Sequence, residues 1–328
     1  MALSIVRYLD QGVIRWGRLS SRAPSAAAAH IQLVPLKTNA ATTAALVAAF
    51  DAGELREVEE VVSVKGGALL NPVTTDATLV CQGLNYISHA AEAQHHERKQ
   101  NLFFSKASSS LTGPFGNIVR PPEVQLLDYE VEFAVVLRTT LEQGTNVDDK
   151  NLGKYIAGVV LCNDVSARDI MFGASFLQWY QGKSYRTFCP AGPVLYLLDE
   201  SEATNVLANL EIKLWVNGEV RQSARSSQLI FKPAETLTQL SRIIDLKAGD
   251  LLLTGTPGGV TAPASPKLVE ILKTNLMADD VRRDALRVEM SAFRPFLQPG
   301  DVVTATLHDR AADISLGGLE NHITAGEP

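Results

Sequence analysis

Runs of apolar residues broken by Gly, Pro, Asn and Asp divide much of the chain into short predicted strands. RYLDQGVIRWGRL predicts two strands around a turn at Gly12. ANLEIKLWVNGEVRQS predicts a hairpin, because its Asn217-Gly218 pair suits a tight turn. Further strands are expected in TLVCQGLNY, LDYEVEFAVVL and YIAGVVLCND, and after the Gly-Asp pairs of AGDLLLTGTPGGV and PGDVVTATLHD.

Helical spacing of apolar residues is confined to a few segments. TTAALVAAFDAG predicts a helix closed by Gly53, and SARDIMF predicts a helix with Ser166 as its N-cap. Pro233 is expected to begin a helix that runs through PAETLTQLSRIIDL. Four apolar residues are expected on one face of that helix: Leu237, Leu240, Ile243 and Ile244.

These patterns predict an organisation in two parts. Residues 1–75 form a small, alanine-rich N-terminal domain, and residues 76–328 form the strand-rich catalytic domain. Residues 265–294 have helical periodicity between two strand elements, so they predict an insertion of two short helices.

Composition narrows the class of protein. The 328 residues are 46% hydrophobic, which allows a sizeable core, and the net charge is −6 without a basic stripe. Nucleic acid is therefore not expected as a partner. The three cysteines are widely spaced and odd in number, so buried free thiols are expected rather than disulfides. We expect a cytoplasmic protein, because the N-terminal residues do not resemble a secretory signal and no stretch approaches the roughly 18 apolar residues of a membrane span.

Two glutamates introduce the candidate chemistry. Strand side chains alternate between faces, so Glu130 and Glu132 of LDYEVEFAVVL are expected on one face. Neighbouring carboxylates beside an apolar run repel each other and resist desolvation, and a hard cation such as Mg²⁺, Mn²⁺ or Ca²⁺ removes both penalties. A Glu-x-Glu pair alone more often marks a solvent-facing strand edge. Asp164, at the end of YIAGVVLCND, is a candidate for a third oxygen ligand.

Three other segments carry candidate groups. His89 and Glu92 in GLNYISHAAEAQ share a face if this loop becomes helical, so the carboxylate can orient the imidazole as a general base. His95 and His96 follow at predicted solvated positions. Lys183, among aromatic residues, is a candidate to bind a carboxylate or an oxyanion. The Gly-rich loop of LLLTGTPGGV is expected to offer backbone N–H groups to an anion.

Seven segments together, in this order, resemble the fumarylacetoacetate hydrolase family over residues 78–309. RYLDQGVIRWGRL is also similar to the small N-terminal domain that many members carry. The segments are GLNYISHAAE, FFSKASSSLTGP, LDYEVEFAVVL, AGVVLCNDVSARD, QGKSYRTFCPAGP, LLTGTPGGV and LQPGDVVTATL.

The resemblance implies an α+β, β-rich fold in which a rolled mixed sheet carries the site at one mouth. It implies Mg²⁺ or Mn²⁺ on Glu130, Glu132 and Asp164, a homodimer, and a small 2-oxo acid or diketone substrate. His89 and Glu92 match the family's water-activating pair. The remaining matches are positions that face substrate or hold an oxyanion: Lys106, Arg168, Lys183, and Thr256 with the backbone of its loop, including Gly255.

Three departures from the family pattern bear on the substrate. The family's Lys-Pro-Pro-Ser run is Lys106-Ala-Ser-Ser here, and Met171 stands where many relatives carry glutamine. Met171 predicts a less polar substrate. The insertion at residues 265–294 directly follows the TGTPGGV loop, so it is expected either to cover the site or to extend a dimer interface.

The leading hypothesis for function is hydrolysis of a carbon–carbon bond in an acylpyruvate or related 1,3-diketone, in the catabolism of aromatic or related compounds. The alternative is a decarboxylase, isomerase or hydratase of 2-oxo acids on the same metal site. A third hypothesis is a non-catalytic metal-binding protein with the insertion as a partner surface.

Overall fold

Strands dominate the regular structure. The computed structural model describes residues 2–92, 100–262, 266–274, 278–290 and 295–327. In chain order the strands are β1 (Leu3–Asp10), β2 (Val13–Leu19), β3 (His30–Lys37), β4 (Arg56–Glu57), β5 (Val62–Lys65), β6 (Leu69–Leu70), β7 (Leu79–Gly83), β8 (Leu102–Lys106), β9 (Leu111–Thr112), β10 (Ile118–Arg120), β11 (Leu127–Asp128), β12 (Val131–Leu137), β13 (Ile156–Asn163), β14 (Ser166–Ala167), β15 (Cys189–Pro190), β16 (Leu195–Leu197), β17 (Leu210–Val216), β18 (Glu219–Arg225), β19 (Leu251–Leu253), β20 (Val302–Asp309) and β21 (Ile314–Ala325). The helices are α1 (Thr43–Asp51), α2 (Ile87–Glu92), α3 (Arg168–Phe172), α4 (Trp179–Lys183), α5 (Ala203–Ala208), α6 (Pro233–Leu240), α7 (Pro266–Lys273) and α8 (Asp279–Met290).

A large mixed sheet forms the framework of this α+β fold. Its strands follow the order β4-β3-β2-β1-β16-β13-β12-β19-β7-β8, with β5 beside β3 and β6 beside β1. β12 and β13 are buried at every residue, because both faces of this part of the sheet are covered. A second sheet, in the order β10-β21-β20-β17-β18, supplies side chains to the same main core.

Strand direction brings separate sequence segments to the same end of four neighbouring strands of the large sheet. β12 is antiparallel to both β13 and β19, and β19 is parallel to β7. The beginning of β12 therefore lies beside the ends of β13, β19 and β7. The segments that leave these ends carry Glu130, Asp164, Gly255 and His89. The pairing thus explains how residues far apart in sequence reach a common site.

The predicted turns are confirmed where glycine or asparagine adopts a positive φ. Asn217 and Gly218, with φ of 52° and 80°, connect β17 to β18 as a tight turn. Gly12, with φ of 83°, lies between β1 and β2. The predicted thiols are also confirmed, since Cys81, Cys162 and Cys189 are free and buried.

The N-terminal strands are continuous with the rest of the large sheet. β1 pairs with β2 and also with β16, so hydrogen bonds cross the predicted boundary between residues 75 and 76. The division into two domains stays a prediction. In the described parts of the chain, no helix is both long and apolar enough to cross a membrane.

Two details of the helix predictions are wrong. Ser166 does not cap α3, because the cap position is Ala167 and the Ser166 hydroxyl points towards Lys183 instead. α6 ends at Leu240 rather than running to residue 246. Ile243 is consequently exposed, whereas Leu237 and Leu240 are buried as expected.

The predicted insertion contains the two expected helices, α7 and α8, among its described residues. Residues 265, 275–277 and 291–294 lie outside the described part. The helices close a small core of their own with neighbouring segments, and Val281 of α8 is exposed. The buried members of this core are Leu126, Leu268, Ile271, Leu286, Met290 and Phe296.

This small core predicts a measurable contribution of α8 to stability. Leu286 is fully buried, so Leu286→Ala should lower the free energy of unfolding by about 2–5 kcal/mol in chemical denaturation. Val281→Ala on the same helix is the matched control, because Val281 is exposed. It should change the free energy by less than about 0.5 kcal/mol. Equal costs for the two variants would show that α8 does not pack as described.

Candidate metal centre and active site

Three carboxylates converge at the strand ends described above. Glu132 lies in β12, Glu130 immediately precedes β12, and Asp164 immediately follows β13. Each offers an oxygen, and these oxygens all lie within 4.8 Å of one another. All three residues are buried, so the alternative of a solvent-facing strand edge is wrong.

The backbone at Glu130, just before β12, is held by hydrogen bonds outside the regular pairing of β12 with β13. Its N–H donates to Asn163 Oδ1 at 2.9 Å, and the N–H of Val131 donates to Gln222 Oε1 at 2.9 Å. The carbonyl of Glu130 accepts from the N–H of Asp164 at 2.8 Å, which joins two of the three carboxylate residues directly. Strand alternation predicted the shared face, but these side-chain amides are long-range partners that alternation does not reveal.

Basic side chains neutralise most of this buried acidity. Lys183 Nζ lies 2.9 Å from Glu130 Oε2 and 2.6 Å from Asp164 Oδ2. Lys106 Nζ lies 2.6 Å from Asp164 Oδ1. Arg168 Nη2 lies 2.6 Å from Glu130 Oε1, and Arg168 also pairs with Asp128 at 2.9 Å.

The carboxylates differ in proton affinity because their partners differ. Burial raises the pKa of Glu130, but Lys183 and Arg168 outweigh burial and lower it to about 2. Burial raises the pKa of Glu132 well above its ordinary value, and the charges of Asp164 and Glu130 raise it further. Glu132 is therefore the member of the group whose ionised form most needs another cation.

A divalent cation fits this arrangement. Glu132 Oε2 accepts the N–H of Gly255 at 2.7 Å, whereas Oε1 is buried without a hydrogen-bond partner among the described residues. A buried carboxylate oxygen without a donor is costly, and a cation would satisfy it. Three carboxylates form an all-oxygen donor set, which suits Mg²⁺, Mn²⁺ or Ca²⁺. Glu130, Glu132 and Asp164 are the residues that would hold the ion.

His89 and Glu92 lie together on α2, as their spacing predicted. His89 Nδ1 is 3.7 Å from Glu92 Oε2, and Glu92 also accepts the N–H of Gly259 at 2.9 Å. The imidazole is close enough to Glu130 to contribute to the low pKa of that carboxyl, behind Lys183 and Arg168. The structure thus brings the predicted base and its orienting carboxylate to the acidic group.

The TGTPGGV loop uses its N–H groups within the protein. Gly255, at φ of 93°, donates to Glu132, and the N–H of Gly258 donates to Ser88 Oγ at 3.0 Å. The expectation that these N–H groups are free for an anion is wrong. Thr256 Oγ1 accepts from Gln222 Nε2 at 2.8 Å and donates to the Val131 carbonyl at 3.0 Å.

A cavity of about 240 Å³ opens beside the acidic group. Its polar lining includes the predicted residues His89, Glu130, Arg168, Lys183 and Thr256. The larger part of the lining is apolar, and the sequence prediction missed most of it: Leu84, Phe104, Phe172, Leu177, Trp179, Ala262, Leu268, Val269 and Leu272.

Several predicted or overlooked residues have roles other than contact with the cavity. Met171 does not line the cavity, and it packs so closely on Gly182 that a Cβ at Gly182 would lie 2.3 Å from Met171 Cγ. Tyr180 is exposed. Sequence reasoning missed Asp128, which anchors Arg168, and Ser166, which accepts from Lys183 Nζ at 2.8 Å. Both flank predicted site residues in sequence, but nothing in the local pattern indicated these contacts.

The sheet-rich α+β fold thus contains a buried group of three carboxylates that could hold a divalent cation. Residues 78–324 match the family model described as fumarylacetoacetate (FAA) hydrolase C-terminal. The chain belongs to this family, as the motifs predicted.

Curated relatives are similar over part of their length. The mitochondrial oxaloacetate tautomerase FAHD2A of Bos taurus is 41% identical over 191 residues, which are 58% of this chain and 59% of that protein. A fumarylacetoacetate hydrolase domain-containing protein 2 homolog of Dictyostelium discoideum is 37% identical over 187 residues, which are 56% of this chain and 60% of that protein. The match thus spans about three fifths of the length of these relatives.

Solved structures share the fold over nearly the whole chain. A fumarylacetoacetate hydrolase from Exiguobacterium antarcticum is 26% identical with a TM-score of 0.69, covering 99% of this chain and 100% of that one. A 2-hydroxyhepta-2,4-diene-1,7-dioate isomerase from Mycobacterium marinum superimposes with the same TM-score of 0.69 and the same coverage of 99% and 100%, at 22% identity. The predicted β-rich α+β fold is confirmed.

The orphaned oxygen of Glu132 leads to a test of the metal centre. Mn²⁺ at 100 times its Kd should stabilise the protein by about 2.7 kcal/mol, seen as a rise in Tm. Glu132→Gln should abolish this rise, because it removes one of the three anionic ligands.

The metal-free Glu132→Gln protein should be no less stable than the wild type, since the change relieves carboxylate repulsion. Asp284→Asn, at an exposed acidic residue, is the control and should keep the full Mn²⁺ response. An undiminished Mn²⁺ response in Glu132→Gln would rule out Glu132 as a ligand.

Proposed function

We propose that the chain is a metal-dependent hydrolase that cleaves a carbon–carbon bond in an acylpyruvate. The observation that carries the proposal is the position of His89, which lines the cavity beside Glu130 and has Glu92 3.7 Å away. A histidine beside the cavity with a carboxylate near its Nδ1 is an arrangement that suits water activation. The distance of 3.7 Å is longer than a hydrogen bond, so the proposal requires Glu92 to approach Nδ1 when substrate binds. A divalent cation on the three carboxylates would supply the positive charge that stabilises a developing enolate.

The balanced reaction consumes one water. His89 takes a proton from water, and Glu92 lies on the Nδ1 side of the imidazole. The water oxygen bonds to the acyl carbonyl carbon, and the bond from this carbon to the neighbouring methylene breaks. The electron pair of that bond forms the enolate of pyruvate. Protonation of the enolate carbon, with the proton that His89 holds, gives pyruvate and a carboxylic acid.

The hydrogen-bond donors that remain available favour Arg168 as the group that binds the substrate carboxylate. An ammonium group has three donors, and those of Lys183 reach Glu130, Asp164 and Ser166. Lys106 Nζ likewise faces Asp164 Oδ1, the Val165 carbonyl and the Lys183 carbonyl.

Arg168 differs from both lysines. Its Nη1 has only the Met171 sulfur, 4.0 Å away, among the described residues. We therefore place the substrate carboxylate on this nitrogen, and assign Lys106 to the support of Asp164. Lys183 holds two carboxylates together, and its contact with a developing oxyanion requires one of these donors to turn.

Tautomerisation of a 2-oxo diacid is the second candidate. It is favoured by the oxaloacetate tautomerases that are 41% identical over the matched segment. That reaction moves a proton between carbon and oxygen and adds no water, so His89 would act as the proton carrier alone. Cleavage products distinguish it from hydrolysis.

His89 provides a test of the base. His89→Asn should lower kcat by about 10²–10⁴-fold, because no other group in the proposal takes the proton. The Mn²⁺ response of Tm should stay unchanged. Ile87→Ala, at an exposed residue of the same helix, should keep wild-type turnover. Full activity of His89→Asn would remove the histidine from the mechanism.

Product analysis in ¹⁸O-labelled water tests the reaction class. With Mn²⁺ present, an acylpyruvate such as benzoylpyruvate should give pyruvate and a carboxylic acid that carries one labelled oxygen from the attacking water. Oxaloacetate is tested in parallel by its enol absorbance. Rapid interconversion of keto and enol forms without cleavage of any acylpyruvate would replace the hydrolase by the tautomerase.

A further inference from the structure

One wall of the cavity comes from the predicted insertion. Leu268, Val269 and Leu272 of α7 line the cavity, so α7 closes part of the site. The helix presents only apolar side chains to the cavity. This agrees with the expectation that the insertion covers the site, and its part in a dimer interface stays a prediction.

A row of aromatic rings connects the acidic centre to this wall. Lys183 Nζ lies 4.9 Å from the centre of the Phe104 ring. The Phe104 and Trp179 rings are edge-to-face with centroids 5.2 Å apart, and Phe172 continues the row at 6.3 Å from Trp179. Phe172 in turn packs against the small core that contains Leu268. The cavity therefore changes from charged to aromatic to aliphatic along its lining.

The α7 wall is held in place by a buried arginine. Arg282 of α8 is fully buried and donates to the carbonyls of Leu272, Thr274 and Phe172 at 3.2, 2.8 and 2.8 Å. These bonds tie the end of α7 both to α8 and to the last residue of α3. These hydrogen bonds thus place the apolar residues of the wall relative to Phe172.

The apolar part of the described lining offers no cation that could pair with a second substrate carboxylate. Among the described lining residues, the basic groups are His89, Lys183 and Arg168, and none of them lies on α7. Lys183 and Arg168 are engaged at the acidic centre, apart from the open Nη1 of Arg168, and His89 lies near Glu92. A second carboxylate placed against α7 would lose its hydration without gaining a cation, which is unfavourable. An aromatic or branched aliphatic group loses unfavourable water contact there instead.

We propose that α7 makes the enzyme selective for 2-oxo acid substrates with a compact apolar arm, an aromatic or branched aliphatic acyl group, and excludes those with a distal carboxylate. The proposal rests on the proposed function for the placement of the 2-oxo acid end at Arg168. The cavity of about 240 Å³ lies below the roughly 300–1,000 Å³ of sites for drug-sized ligands, so the arm is small.

Val269 is the residue on which to test this selectivity. It is only partly buried and it lines the cavity, so a change there disturbs folding less than a change at Leu268. Val269→Lys would place a cation in the apolar wall. Glu270→Lys adds the same side chain at the neighbouring exposed position of α7 and is the matched control.

The wild-type enzyme should prefer benzoylpyruvate to acetylpyruvate and to a succinyl-type acylpyruvate by at least about 10-fold in kcat/KM. Val269→Lys should lower kcat/KM for benzoylpyruvate by at least about 10-fold and raise it for the succinyl compound. Glu270→Lys should leave both values unchanged, and the Tm and the Mn²⁺ response should match the wild type in both variants.

Binding measurements separate this inference from the proposed function. If no acylpyruvate is cleaved, the proposed hydrolysis fails, but calorimetric titration of the Mn²⁺-loaded protein with phenylpyruvate and 2-oxoglutarate still tests the wall. Tighter binding of phenylpyruvate, reversed in Val269→Lys, supports it. Equal binding of the two acids, or the same response in both lysine variants, overturns it.

Discussion

The burial of three carboxylates at one end of the apolar strands β12 and β13 is the constraint on which the rest of the site depends. Their oxygens lie within 4.8 Å of one another, beside strands whose side chains are removed from water. Like charges at such distances in a medium of low polarity are strongly unfavourable unless cations lie among them. The positions of Lys106, Lys183 and Arg168 follow from this need, and the chain takes them from β8, α4 and α3.

The three carboxylates differ in how many cationic partners they have, and this difference indicates where a further cation and an anion would bind. Asp164 has two lysines and Glu130 has Lys183 and Arg168, whereas Glu132 has a single backbone donor and one buried oxygen without a partner. The remaining demand for positive charge is therefore at Glu132, where a divalent ion fits. The remaining capacity to bind an anion is at Arg168, whose Nη1 lacks an oxygen partner among the described residues. The site thus offers one place that a cation would fill and another that the proposed substrate carboxylate would fill.

Local sequence patterns predicted much of the fold and of the candidate site. The features that were missed depend on contacts between residues far apart in sequence. Strand alternation, turn glycines and i,i+3 spacing placed the strands around Glu132, the turn at Gly218 and the contact of His89 with Glu92, because each depends on near neighbours. The same rules failed at Ser166, whose hydroxyl contacts Lys183 rather than a helix terminus. They also could not show that the N–H of Gly255 is used by Glu132, 123 residues away in sequence.

The short helix α3 explains why the acidic centre and the insertion form one unit. Three of its residues point to different parts of the site: Arg168 reaches the carboxylates, the buried Asp169 pairs with Arg287 of α8 at 3.1 Å, and the Phe172 carbonyl accepts from Arg282. Because five residues of helix carry all these contacts, a displacement of α8 also moves the guanidinium that would bind the substrate carboxylate. The apolar wall and the proposed anion site are therefore both connected to α3, so the distance between them limits the length of substrate that can occupy both.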